Sequence, residues 1–336
     1  MEIQPIALTL GEPAGVGPEI TVKAKKIIGR TIPFFVIGDY KFLEEIASTF
    51  SIRTKLIENP KEVYLSLDRL CVLDNRLPKR VEPGVISFEN QNSVLSAIVQ
   101  GVKFLTEGSV SALVTNPINK WALRKGTEFN FLGHTDFLEF LDNRKTSRSV
   151  MMLTNSDGFR VVPVTIHIPI KDVSKSLSSN LIEKTIVIVY ETLKHILKIK
   201  KPKILVTGLN PHAGENTVIG DEEQTIIKPA VDKLKRAGYD LDGPFSADSA
   251  FTLSNRTTYD CFVCMYHDQA LIPIKTLSYE DAINITLGLS FVRTSPDHGT
   301  ALNIAGKNLA NPDSLVLAIK EAQKFCIAQS KNENKT

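Results

Sequence analysis

Residues 149–167 read SVMMLTNSDGFRVVPVTIH. Two runs of strand-forming residues flank Asp157-Gly158, a dipeptide suited to the tight turn of a two-stranded hairpin. The segment therefore predicts antiparallel strands, whereas its surroundings predict parallel ones. IALTL (6–10), PFFVIG (33–38), LCVLD (70–74) and SALVTNP (111–117) are short, continuous apolar runs, as expected for strands buried on both faces. Amphipathic stretches lie between them. In SVLSAIVQGVKFL (93–105), Val94, Leu95, Ile98, Val102 and Leu105 recur at helical spacing. Downstream, the pattern predicts a helix over 178–197, a strand over 203–210 and a helix stopped by Gly238. A strand DCFVCMYH (260–267) and a last helix from about residue 311 follow. Alternating strands and helices define an α/β class. The inserted hairpin points to a second domain with a mixed sheet.

The bulk properties exclude several functions. With 336 residues, 43% of them hydrophobic, the chain can bury the cores of two domains. A net charge of only +3, with acids and bases interleaved, is not the footprint of a nucleic-acid binder. No apolar run approaches the ~18 residues of a membrane span. The first residues lack the basic start and long apolar run of a secretory signal. Cys71, Cys261, Cys264 and Cys326 are too scattered for a disulfide framework, so a reduced, cytoplasmic protein is expected. The polar tail, 330–336, is expected to fray.

Cys261, Cys264 and His267 raise the question of a metal. A Cys-x-x-Cys zinc site normally sits on a tight turn, but CFVCMYH has neither Gly nor Pro and is rich in strand formers. In an extended chain Cys264 faces away from Cys261 and His267. Both cysteines read as small buried apolar residues. His267 at the end of its strand is matched by His167, ending VVPVTIH, and His212, following ILVTGLNP. Strand ends of α/β sheets are where ligands bind. Three imidazoles there make a three-nitrogen cation site with an open position, the pattern of a catalytic metal. The alternative is that each is a strand-end histidine bonded only to backbone.

LTLGEPAGVGPEI (8–20) reads as strand, glycine-rich turn and helix start, with Pro18 in the first helical turn. It is neither G-x-G-x-x-G nor a Walker loop. Its amides face an anion, or the turn only packs helix on strand. Lys120, His134, Thr135, Lys275 and Arg293 also fall near predicted element ends, and together they suit a phosphorylated substrate.

The run LGEPAGVGPE, VTNPINK, LGHTDFLE, HIP, TGLNPHAGE, GPFSADSAF, YHDQALIPIK and SFVRTSPDHGTALNIAGK resembles the 4-hydroxythreonine-4-phosphate dehydrogenases of vitamin B6 biosynthesis over nearly the whole chain. DHGTALNIAGKNLANP is also similar to the segment by which isocitrate and isopropylmalate dehydrogenases hold the adenosine end of their cofactor. The resemblance implies a two-domain, isocitrate/isopropylmalate dehydrogenase-like α/β fold with mixed sheets, not a Rossmann fold. It implies a cofactor-binding domain over 1–135 plus 290–330 and a metal-binding, dimerising domain over 136–289. His167, His212 and His267 match the family's metal ligands, drawn from both subunits of a homodimer, for Zn2+, Mg2+ or Co2+. His134, Thr135, Lys275, Asn284 and Arg293 match substrate-binding positions, and His298, Gly299, Thr300 and Asn303 match the cofactor loop. Ser249 stands where the family has Thr. Asn303 stands where many isocitrate-type relatives have Asp, so this loop does not separate NAD from NADP.

The implied reaction is oxidation of 4-phosphohydroxy-L-threonine at C3, followed by loss of carbon dioxide. A secondary alcohol is a very weak acid, and a divalent cation lowers the pKa of a ligated oxygen by several units. Neutral imidazole ligands leave the cation's charge undiminished. Lys275 and Arg293 are assigned to the substrate's anionic groups. Asp268, adjoining His267, and Asp248 are candidates for orienting a ligand or relaying a proton, with Asp268 and Lys275 the catalytic candidates. A dehydrogenase of a phosphorylated sugar acid, a phosphate acyltransferase and a non-catalytic regulator are the rival readings.

Overall fold

The computed structural model describes residues 4–143 and 148–333. It divides into two compact units, Met1–Ser149 with Ile283–Asn334, and Val150–Ala282. Strands among the described residues are β1 Ile6–Thr9, β2 Phe34–Gly38, β3 Thr54–Ile57, β4 Leu70–Asp74, β5 Ala112–Thr115, β6 Val150–Thr154, β7 Arg160–Pro163, β8 Lys203–Thr207, β9 Asp240–Phe245, β10 Cys261–Cys264, β11 Ile283–Leu287 and β12 Val292–Pro296.

In the first unit the strand order is β3-β4-β2-β1-β5-β12-β11. All neighbours are parallel except β11, which runs antiparallel to β12 with Thr286 opposite Arg293. Both faces of β1 and β2 are buried, which explains their unbroken apolar runs. Helix Gln91–Thr106 lies against β1, β2 and β5, burying Val94, Ala97, Ile98 and Val102 with Ala7, Phe35, Ile37 and Leu113. Helix Asp313–Glu333 packs on β12, β5 and β11. The tail is therefore helical through Glu333, where fraying was expected; 334–336 lie outside the described residues.

In the second unit the order is β6-β7-β10-β8-β9, with only β6 and β7 antiparallel. The β6–β7 hairpin is set by its turn. Gly158 takes φ +81°, its N–H donates to Asn155 O at 3.1 Å, and the Asn155 side chain accepts from Phe159 N at 2.9 Å. Met151, Leu153, Phe159, Val161, Leu205 and Phe262 form the core of this unit.

One element departs from expectation. β10 stops at Cys264, and His267 opens a helix, His267–Leu277, rather than ending a strand. Gln269, third in that helix, reaches back past the N-cap residue Tyr266 to the N–H of Met265 at 2.7 Å. No helix among the described residues is long and apolar enough to cross a membrane.

Candidate active site

β7, β10 and β8 are adjacent and parallel in the second unit, so their C-terminal ends share one edge. The three histidines lie beyond those ends. His167 is exposed, with φ +51°. Its ring centre is 5.7 Å from that of half-buried His267. Two imidazoles on one tetrahedral cation, at a metal–nitrogen distance of about 2.1 Å, have ring centres roughly 5 Å apart. The pair therefore fits a shared cation. Asp268 Oδ1 lies 2.7 Å from His267 Nδ1. With Nδ1–H donated to this carboxylate, Nε2 carries the lone pair for a metal.

Buried polar groups lock these ends together. Thr165, ahead of His167, donates both its N–H (3.2 Å) and its hydroxyl (2.8 Å) to Met265 O. Gln269 Oε1 accepts from Met265 N and Thr207 Oγ1, both at 2.7 Å, and its amide donates to Gly208 O at 2.8 Å. Gln269 thus ties the end of β8 to the end of β10.

His212 is exposed and starts a run of left-handed residues with φ +54°, +51°, +79°, +41°, +55° and +76° through Thr217. An L-residue in this region costs about 1–2 kcal/mol, so such a run persists only when its surroundings impose it. Among the described residues of one chain, no three His, Cys, Asp or Glu side chains gather within reach of one ion. His167 and His267 come together, and His212 does not join them. Asp248 accepts from Ser246 Oγ at 2.5 Å, which with a smaller pull from His212 holds its carboxyl below the usual range. Lys275 borders a shallow hollow of about 520 Å³ with His267 and Asp268. Cys261 and Cys264 are fully buried. Burial pushes the Cys261 thiol up to about 12 and that of Cys264 well above its ordinary value.

The first unit brings together Arg293, His134 and Asn284, three of the sequence-predicted substrate residues. Arg293 on β12 is 2% exposed. Its Nε and Nη2 donate to Thr115 Oγ1 at 3.2 and 2.7 Å, and Nη1 donates to Thr286 Oγ1 at 2.9 Å. These partners are neutral, and burial pulls the guanidinium from 12.5 to about 9. It stays cationic at neutral pH and keeps N–H donors for an anion. His134 opens the helix His134–Asp142. Burial first, then the charges of Arg293 and Lys120, hold its pKa well below 6.5, so its ring is neutral. Buried His134 Nε2, Asn284 Oδ1 and Asn116 Oδ1 have no hydrogen-bond partner among the described residues. Such atoms cost about 1–3 kcal/mol each until something pairs them. Thr135 follows His134 in the first turn, half-buried.

Four amides of the glycine-rich turn are taken by protein, as expected of a turn that packs helix on strand. Glu12 N donates to Pro117 O, Gly15 N to Glu12 O and Val16 N to Thr300 O, at 2.9, 3.1 and 2.9 Å. Ala14 N donates to the buried Glu12 carboxylate at 3.1 Å. A Cβ on Gly15 would stand 2.7 Å from Thr300 O, so this turn and the His298–Asn303 loop interlock through a position that only glycine fits. Burial raises the Glu12 pKa against hydrogen bonds from Gln91 and Ala14. His298, Gly299, Thr300 and Asn303 lie together on this loop. A cavity of about 910 Å³ in the same unit is bounded further along the segment, by Gly306 and Asn308, with Gly15, Asp39, Lys79 and Arg80.

The family described as "Pyridoxal phosphate biosynthetic protein PdxA" matches residues 30–322. This chain belongs to that family. It is 44% identical over 319 residues to a 4-hydroxythreonine-4-phosphate dehydrogenase from Roseobacter denitrificans, covering 95% of this chain and 96% of that one. It is 42% identical over 342 residues to one from Bradyrhizobium diazoefficiens, covering 97% and 98%. The structure of a 4-hydroxythreonine-4-phosphate dehydrogenase from Klebsiella pneumoniae superposes with a TM-score of 0.84 at 34% identity, over 96% of this chain and 99% of that one. The α/β fold with mixed sheets is thus that of a solved PdxA-family structure, and the chain is an oxidoreductase of a family named for pyridoxal phosphate biosynthesis. Sequence reasoning had not singled out Glu12 or Gln269, and the helix start that makes Gln269 a tie between strands is not apparent in the sequence.

Proposed function

We propose that this enzyme oxidises 4-phosphohydroxy-L-threonine at C3 with NAD or NADP, and that the resulting β-keto acid loses carbon dioxide to give 3-amino-2-oxopropyl phosphate. The observation that carries the substrate class is buried Arg293, a cation whose protein partners are two threonine hydroxyls, beside a neutral His134 with an unpaired ring nitrogen. A phosphate accepts from such donors and supplies the missing counter-charge. Arg293, His134, Thr135 and Lys120 are assigned to the phosphate. Asn284 offers its unpaired Oδ1 to a donor on the substrate, such as the C2 ammonium. Lys275 takes the carboxylate.

His167, His212 and His267 are assigned to one divalent cation, Zn2+, Mg2+ or Co2+. The 5.7 Å approach of two of the rings supports this reading. When bound, the cation lowers the pKa of the substrate hydroxyl and draws charge from the ketone formed from it. Asp268, 2.7 Å from His267 Nδ1, is assigned to hold that ring in one tautomer and to take up the hydroxyl proton. The dinucleotide is assigned to the loop His298, Gly299, Thr300 and Asn303 and to the 910 Å³ cavity beyond it. When bound there, its nicotinamide would supply the hydride acceptor for C3. We further propose a homodimer in which His212 of one copy completes the cation site of the other; the exposed position of His212 supports this.

A substrate panel tests the reading. With the cation and NAD supplied, kcat/KM for 4-phosphohydroxy-L-threonine exceeds that for 4-phosphothreonate and 4-phosphoerythronate by at least about 100-fold, because mispaired buried polar groups discriminate strongly. A preference for either sugar acid would replace the proposed substrate with its rival.

A further inference from the structure

We infer that Glu223 is the positioning residue that presents His212, and that it acts on cation affinity through that imidazole. The inference rests on the reading of His212 as a ligand.

The left-handed run that begins at His212 needs an external hold, and Glu223 fixes the two residues that lead into it. Its carboxylate is 1% exposed. Oε1 accepts the N–H groups of Leu209 and Asn210, both at 2.7 Å, immediately before the run. Oε2 accepts Asn210 Nδ2 at 2.9 Å. Inside the run, a Cβ on Gly214 would lie 2.6 Å from Oε2, and before it a Cβ on Gly208 would lie 2.9 Å from Oε1. The carboxylate is therefore wedged into the turn, with glycine on both flanks making room.

The other end of the hold is rigid. Glu223 opens the widened turn Glu223–Ile227 that leads into helix Lys228–Arg236, and that helix packs on β9 and on helix Ser179–Glu191. A carboxylate is needed, not merely a side chain of that size. Glu223 serves three N–H donors, and a carboxylate accepts on both oxygens, whereas an amide would turn a donor towards one of them. Neighbouring Glu222 plays a lesser part. It shares the Asn210 amide at 2.7 Å and accepts from Ser174 Oγ at 2.6 Å.

The test is a double-mutant cycle on the full-length chain, stripped of metal. Zn2+ affinity is measured by competition with a chromophoric chelator, with the Co2+ absorption spectrum as a geometric readout. E223Q is expected to weaken Zn2+ binding by about 10- to 100-fold, the usual effect of removing a residue that orients a ligand, and to alter the Co2+ spectrum. H212A is expected to weaken binding at least as much. E223Q/H212A should be no weaker than H212A, because a residue acting through His212 loses its effect when that ring is gone. Unchanged Zn2+ affinity in E223Q, with loss in H212A, overturns the inference, as does an E223Q penalty that persists in the H212A background. Unchanged affinity in H212A instead removes the ligand reading on which the inference stands. If E223Q fails to fold, N210A, which removes the side-chain hydrogen bond to Glu223 Oε2 and the one to Glu222, enters the same cycle under the same criteria.

Discussion

Replacing Arg293 by methionine should separate stability from binding. The buried guanidinium is pulled from 12.5 to about 9 by burial. At about 1.4 kcal/mol per pH unit, keeping it charged costs the folded protein about 5 kcal/mol. Its three hydrogen bonds to Thr115 and Thr286 offset part of this. Methionine fills similar volume without the charge. The ligand-free variant should therefore be as stable as the parent or more stable by about 1–2 kcal/mol, as when buried charges give way to apolar side chains. Inorganic phosphate should reverse the order. At about 100 times its dissociation constant it adds about 2.7 kcal/mol to the parent. For a unit of this size that is roughly 5–10 °C in melting temperature. The variant should gain almost nothing. Calorimetry at fixed ionic strength, with chloride against phosphate, reads both effects. A variant several kcal/mol less stable without phosphate, or a parent that phosphate leaves unmoved, would refute the assignment of Arg293 as an anion receptor.

His134 makes stability depend on pH. Folded, it resists protonation because of burial and the charges of Arg293 and Lys120; unfolded, it titrates near 6.5. Below that pH the unfolded chain takes up a proton that the folded one does not, so its contribution is lost as pH falls, at up to about 1.4 kcal/mol per pH unit. Urea midpoints between pH 7.5 and 5 should show a shallower fall in H134Q, and an unchanged slope would remove His134 as its source. Cys261→Ser and Cys264→Ala should keep their full metal content while losing about 1–2 kcal/mol of stability; stoichiometric loss of metal in either would make the thiols ligands. Asp268→Asn should weaken cation binding about 10-fold without changing the fold, and unchanged affinity by chelator competition would leave Asp268 no part in orienting His267.

Elements whose signal is local were legible. The β6–β7 hairpin was readable because Asp157-Gly158 specifies its turn. Helix Gln91–Thr106 was readable because its buried face repeats every turn. Helix His267–Leu277 was not, because the apolar run QALIPIK contains Pro273 and continues the look of the preceding strand. The left-handed turn after His212 was also illegible. The residues leading into it are held by Glu223, later in the chain, and within it only Gly214 and Asn216 hint at positive φ. Arg293 was legible as a candidate for the substrate's anionic groups, but its burial was not. Its burial follows from its place on β12 beside β5 and β11, which only the sheet order supplies. The glycine-rich turn left two readings open, and the engaged amides of Gly15 and Val16 favour packing.

The central claim, that one cation held by three imidazoles serves both oxidation and loss of carbon dioxide, is tested most directly by stoichiometry. Metal-stripped protein is given 4-phosphohydroxy-L-threonine and NAD, and reduced cofactor and carbon dioxide are followed together as Zn2+, Mg2+ or Co2+ is added. The predicted result is no turnover without the ion, and with it one carbon dioxide for each reduced cofactor. Full turnover in the stripped enzyme, or with His167, His212 and His267 all replaced by alanine, would contradict it.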